Sequence, residues 1–159
     1  MRDAIVRPGW RKMGDGGVLR SVGAIALGLA VAVLLILLLQ WAGFRLFPLP
    51  PTLQLNEPAQ WAHYWAGAPR GALLMVLLSY AFGACDGAIL AAWLSPQQPW
   101  RHAALVVALV ALLALLNVLS VAYPDWFVWS LLPVFLSALL VGGKIGAMLH
   151  DRRRAGILR

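Results

Sequence analysis

Four uninterrupted apolar blocks, each about as long as a bilayer is thick, constrain this chain more than any other feature. They cover residues 22–40, 71–94, 103–121 and 126–149. A helix rising ~1.5 Å per residue needs roughly 20 residues to cross ~30 Å of hydrocarbon, and each block is close to that length. In lipid every backbone N–H and C=O must find its partner inside the segment, so the blocks are expected to be helices. Composition closes the soluble alternative. The chain is 62% hydrophobic and 12% charged, whereas a soluble domain is roughly 45–50% apolar and about 25% charged. The expected fold class is therefore all-α: a polytopic membrane protein with four transmembrane helices.

Prolines mark the limits of these helices. Pro48, Pro50 and Pro51 follow the first span, Pro69 precedes the second, Pro96 and Pro99 follow it, and Pro124 precedes the fourth. Pro133 lies inside the fourth span and should kink it. The chain then divides into a basic tail over 1–21, a transmembrane domain over 22–149 with an outer loop at 41–70, and a second basic tail over 150–159. The basic start and first apolar block resemble a signal peptide, but the block is too long and Gln40-Trp41-Ala42-Gly43-Phe44 offers no small-residue cleavage site. An uncleaved anchor is expected.

Charge sets the orientation. With the N-terminus inside, the cytoplasmic side holds Arg2, Arg7, Arg11, Lys12, Arg20, Arg101, Lys144, Arg152, Arg153, Arg154 and Arg159, and the outer side only Arg45 and Arg70. That division of the 13 basic residues predicts an N-in, C-in protein. Arginine outnumbers lysine 11 to 2, a bias associated with high-GC bacterial genomes, and the bacterial inner membrane is the expected compartment. The net charge of +7 would suggest nucleic acid in a soluble protein; here the basic residues flank apolar spans. Anionic headgroups are the simpler partner, with Arg152, Arg153 and Arg154 the natural contacts.

Aromatic residues gather where the spans meet water. Trp41, Phe44, Phe47, Trp61, Tyr64, Trp65, Tyr123, Trp126 and Trp129 fall outside, and Trp93 and Trp100 inside, as an interfacial belt would place them. Within the outer loop, residues 57–67 read as a short interfacial helix, capped by Asn56 or Glu57 and stopped at Gly67. The other reading of that helix is a lid over a cavity between the spans.

Asp86 is the most informative single residue. It lies eight residues before the inner end of the second span, ~12 Å deep by helical rise. A lipid-facing carboxylate there costs several kcal/mol if charged, so it should face the bundle, pair with a cation or take up a proton. Lys144 lies at similar depth in the fourth span, which runs in the same direction. Asp86 and Lys144 each follow a Leu-Ser pair by seven residues, Leu78-Ser79 and Leu136-Ser137. Aligned this way, the two helical hairpins would be parallel repeats about an axis along the membrane normal. An intramembrane ion pair or an ion site is expected at Asp86 and Lys144, with snorkelling of Lys144 to the headgroups left open.

Small residues recur every four positions: Ser79, Gly83, Gly87 and Ala91 on the second span, Ala138, Gly142 and Gly146 on the fourth, and Ala24, Gly28 and Ala32 on the first. These are helix-packing faces, toward a sister helix or another subunit. Asn117, near the outer end of the third span, is a candidate interhelical polar contact, or a substrate contact. His63, His102 and His150 are spread over both membrane faces and cannot share a metal; the single cysteine, Cys85, reads as helix filler. No catalytic motif, metal cluster or phosphate loop is visible, and no cofactor is expected.

The third and fourth spans, with Asn117, Tyr123-Pro124-Asp125-Trp126 and the stretch from Gly142-Gly143 to Gly146, resemble those of small, uncharacterised four-span bacterial membrane proteins. The likeness covers about residues 71–149. It implies a fold and a compartment but no activity, and the charges of Asp86 and Lys144 are not features of that group.

Two function classes follow. One is a non-enzymatic packing component or accessory subunit that forms a homo-oligomer or joins a larger membrane assembly. Its mark would be a glycine stripe left on the outside of the bundle. The other is a small oligomeric transporter or channel with Asp86 as proton or cation site and Lys144 as counter-charge, which needs a cavity reaching Asp86. An enzyme would need a polar cluster beneath the outer loop.

Overall fold

The computed structural model describes residues 15–51 and 57–156. The N-terminal basic cluster from Arg7 to Lys12, Asn56 and Arg159 lie outside them. Five helices follow in order: α1 (Asp15–Leu46), α2 (Pro58–Ala66), α3 (Arg70–Leu94), α4 (Pro99–Ser120) and α5 (Asp125–Arg154). The described residues contain no strand, and α1, α3, α4 and α5 are each long and apolar enough to cross a membrane.

The spanning helices are longer than their apolar blocks. α1 begins before Val22 and α5 runs to Arg154, because a helix does not stop where its side chains turn polar. It stops where the backbone is interrupted: α1 just before Pro48, and α5 before Gly156, whose φ of 74° is left-handed. α5 continues through Pro133. The short helix of the outer loop starts at Pro58, with Glu57 in the N-cap position but making no side-chain cap. The proline supplies the starting φ and has no N–H to satisfy.

α3 is the central helix. Half of its most apolar stretch is buried, 50% against 17%, 28% and 28% for α1, α4 and α5. It packs on all three, whereas α1 and α5 do not meet. Glycines permit the close approaches. A Cβ on Gly87 would stand 2.6 Å from the Gly28 carbonyl oxygen, and one on Gly142 would stand 2.6 Å from that of Cys85. Gly28 of α1 lies against Gly87 and Ala91, and Gly43 against Met75, so α1 and α3 are antiparallel. Gly142 lies against Cys85 and Ala88 and Gly146 against Ile89 and Ala92, so α3 and α5 are parallel.

Candidate functional site

The small-residue faces are used inside the bundle. Gly83 and Gly87 seat Ala32, Ile36 and Gly28 of α1, and Ala91 meets Gly28. Gly142 and Gly146 seat the opposite side of α3, and Ser79, Ala91 and Ala138 are buried. No member of these stripes on α3 or α5 is exposed, so the glycine stripe that would mark an outward assembly face is filled by sister helices.

The same packing separates the two buried-span charges. With residues about 100° apart around a helix, Asp86 falls about 80° from the α1 face of α3 and about 110° from its α5 face. It therefore sits on the side of α3 turned away from α4, half-buried, one turn from exposed Phe82. Lys144 lies about 180° from the α3-facing glycines of α5. It is exposed, among exposed Leu140, Val141 and Met148. Among the described residues neither joins a salt bridge. Because Gly142 and Gly146 bracket Lys144 and pack from Cys85 to Ala92, its backbone is level with about residue 88, roughly 3 Å from the level of Asp86.

The half of the bundle nearest α2, the outer half in the orientation expected from the charges, holds what sequence reading did not locate: a polar cluster beneath the loop. Asn117 on α4 donates from Nδ2 to the Tyr80 hydroxyl of α3 at 3.0 Å and to the Tyr123 hydroxyl at 3.2 Å. Gln40 on α1 donates to Ser79 Oγ at 3.4 Å, and Ser79 donates to the Val76 carbonyl at 2.7 Å. Burial pushes the Tyr123 phenol up to about 12 although the Asn117 contact works in the opposite direction, so this hydroxyl is neutral throughout the physiological range. Burial likewise raises the Tyr64 phenol.

α2 roofs this cluster with rings. Trp61 stacks on Trp65 at 6.3 Å, Tyr64 meets Trp65 edge-on at 5.1 Å, and Trp65 touches Tyr123 at 5.4 Å, which stacks on Phe127 at 4.5 Å. Trp65 is 6% exposed and belongs to the core. Under the roof lies a cavity of about 200 Å³ whose walls include Phe44, Phe47, Met75 and Val76 and whose polar groups come from Gln40, Asn117, Tyr64 and Tyr123. No charged side chain lines it. Gln40 and Asn117 also line a crevice of about 230 Å³ between α1 and α4, whose other walls include Leu37, Tyr80 and Leu113. Each space far exceeds the ~30 Å³ share of a water molecule.

The inner half is different. Between α1 and α5, at the end of the bundle away from α2, lies a cleft of about 680 Å³ lined by Arg20, Ser95, His150, Arg153 and Arg154 together with apolar Ala24, Leu27 and Leu94. Arg152 is not among its walls. Asp86 lines none of these three spaces. Among the described residues, no three His, Cys, Asp or Glu side chains gather as metal ligands.

No protein-family model, curated protein or solved structure matches this chain.

Proposed function

We propose that the chain is a multi-pass protein of a bacterial inner membrane, both termini cytoplasmic, that binds a small uncharged amphipathic molecule in its outer half; it is read as non-enzymatic because the polar cluster there brings amides and phenols but no His, Cys, Asp, Glu, Lys or Arg. One observation carries the reading: an aromatic-roofed cavity with a few convergent polar groups, two of which, Gln40 and Asn117, also line a crevice between α1 and α4. Mostly apolar walls with a few placed hydrogen-bonding groups are what small-molecule sites consist of. With both Asn117 N–H bonds directed at phenols, its carbonyl and the phenolic O–H groups are left to receive and donate. A carboxylate or ammonium would find no counter-charge there, so the polar end is a hydroxyl, carbonyl or amide. The hydrocarbon end runs between Leu37 and Leu113, both exposed. The outer helix then acts as a lid, and its Trp61 and Tyr64 report on occupancy.

A photoactivatable long-chain alcohol, compared with the matching fatty acid and alkylamine, tests this in the reconstituted protein. The alcohol is expected to label α2 and the outer ends of α1 and α4, with labelling reduced several-fold by Asn117→Leu. Equal labelling by all three probes, untouched by that substitution, would overturn it.

A second reading, that the protein works as a homo-oligomer, is favoured by Asp86 and Lys144. Each is without a salt-bridge partner among the described residues, on a different outer face, at nearly the same depth. Asp86 of one copy against Lys144 of the next would satisfy both in a head-to-tail ring. Asp86→Lys or Lys144→Asp alone should give monomers in mild detergent, and the two together should restore the oligomer. Identical masses for all four proteins would sink the pairing.

A further inference from the structure

The cytoplasmic cleft is more than a basic surface, and it stands independently of the outer cavity. Three arginines from two helices converge on it: Arg20 from α1, and Arg153 and Arg154 from α5. Two of them are already held. Arg154 donates to the Pro96 carbonyl at 2.8 Å, and the Arg153 guanidinium lies 6.0 Å from the centre of the Trp93 ring. Such tethering lowers the side-chain entropy that a flexible arginine loses on binding.

The second observation is at the cleft's inner wall. Ser95 is 4% exposed, lines the cleft, and its Oγ has no hydrogen-bond partner. His150, also 4% exposed, lines the same space. A buried hydroxyl without a partner is costly, and Ser95 Oγ is such a donor at the wall of a cleft bordered by three guanidinium groups. Leu27 gives the base of the cleft an apolar surface.

We infer that this cleft is a specific site for a phosphate ester. The anionic oxygens lie against Arg20, Arg153 and Arg154, a further oxygen accepts from Ser95 Oγ, and the esterified group lies toward Leu27. Arginine's planar fork matches phosphate geometry, and the exchange of water for fixed donors makes these charge-assisted bonds the strong kind. The ester's source is either the headgroup of an anionic lipid or a soluble phosphate monoester. The site differs from general headgroup attraction in its membership: Arg152, equally basic and one residue away, is outside it, and Ser95, uncharged, is inside it.

The test uses the full chain in phosphatidylcholine nanodiscs, with phosphatidylglycerol as the guest and retention read by native mass spectrometry. Arg20 is exposed and makes no hydrogen bond among the described residues, so Arg20→Gln should leave the fold intact while weakening retention on the order of tenfold. Ser95→Ala should weaken it severalfold, and Arg152→Gln less than twofold. The Ser95 effect should persist at 0.5 M salt, where a diffuse attraction is screened. Glycerol phosphate forms the second arm. Displacement of the lipid at millimolar concentration assigns the site to the soluble ester, and failure to displace it assigns the site to the headgroup. If Arg152→Gln costs as much as Arg20→Gln and Ser95→Ala costs nothing, there is surface attraction only and the inference is wrong.

Discussion

The two ends of this bundle solve opposite problems with the same four helices. At the outer end α1, α3, α4 and the α4–α5 turn converge under α2, and the enclosed space is about 200 Å³, roofed by rings and furnished with neutral hydrogen-bonding groups. At the inner end no described helix roofs the gap that α3 keeps between α1 and α5, and about 680 Å³ is bordered by three arginines. A closed, uncharged chamber suits an uncharged guest entering from lipid. An open, cationic one suits an anion at the headgroup level. α3 packs on every other spanning helix and keeps α1 and α5 apart, so what separates the two ends is what covers each of them: α2 and its rings at one, nothing among the described residues at the other.

Substitutions can break that contrast at one end or at both. The largest effect is expected at Phe127, fully buried and stacked on Tyr123. Phe127→Ala should cost about 3–5 kcal/mol and collapse the outer chamber, seen as a fall in thermal stability together with faster labelling of Trp61 and Trp65. Inner-cleft anion retention surviving that change would establish the ends as separable. Gly87→Ala comes next. Its new Cβ meets the Gly28 carbonyl and Ala32, and overpacking of this kind costs about 1–3 kcal/mol. Because α3 is the wall shared by both sites, outer labelling and inner retention should fall together in this variant.

Smaller effects test each end alone. Asn117→Leu removes two hydrogen bonds, and such bonds between membrane helices average about 0.6 kcal/mol. The melting temperature should barely move while probe labelling in the outer chamber drops; a large stability loss with unchanged labelling would make Asn117 a purely structural clamp. Arg154→Gln removes an exposed contact with Pro96 and should shift stability by less than about 1 kcal/mol. Its mark should be weaker anion retention with no change outside.

The spans were readable because the requirement they answer is local: an apolar run of sufficient length must be a helix in lipid, whatever its neighbours do. The short helix was readable from its limits, Glu57 before it and Gly67 after it, although Glu57 makes no side-chain cap and Pro58 starts it instead. The sites were not. Asn117 finds Tyr80 across 37 residues of sequence, and nothing near either residue announces the other. Arg152, Arg153 and Arg154 look equivalent as a run, and only the azimuth of α5 separates the two that line the cleft from the one that does not.

Asp86 and Lys144 divide the two kinds of information most clearly. Their depth follows from helical rise and the direction of each span, and so belongs to the sequence. The direction each faces around its helix depends on which stripe of small residues meets which neighbour. Gly83 and Gly87 commit one side of α3 to α1, and Gly142 and Gly146 commit one side of α5 to α3. Those commitments turn both charges outward. A one-dimensional pattern sets position along a helix axis, but rotation about that axis is chosen by close packing among all the helices at once. That packing exists only in the assembled bundle.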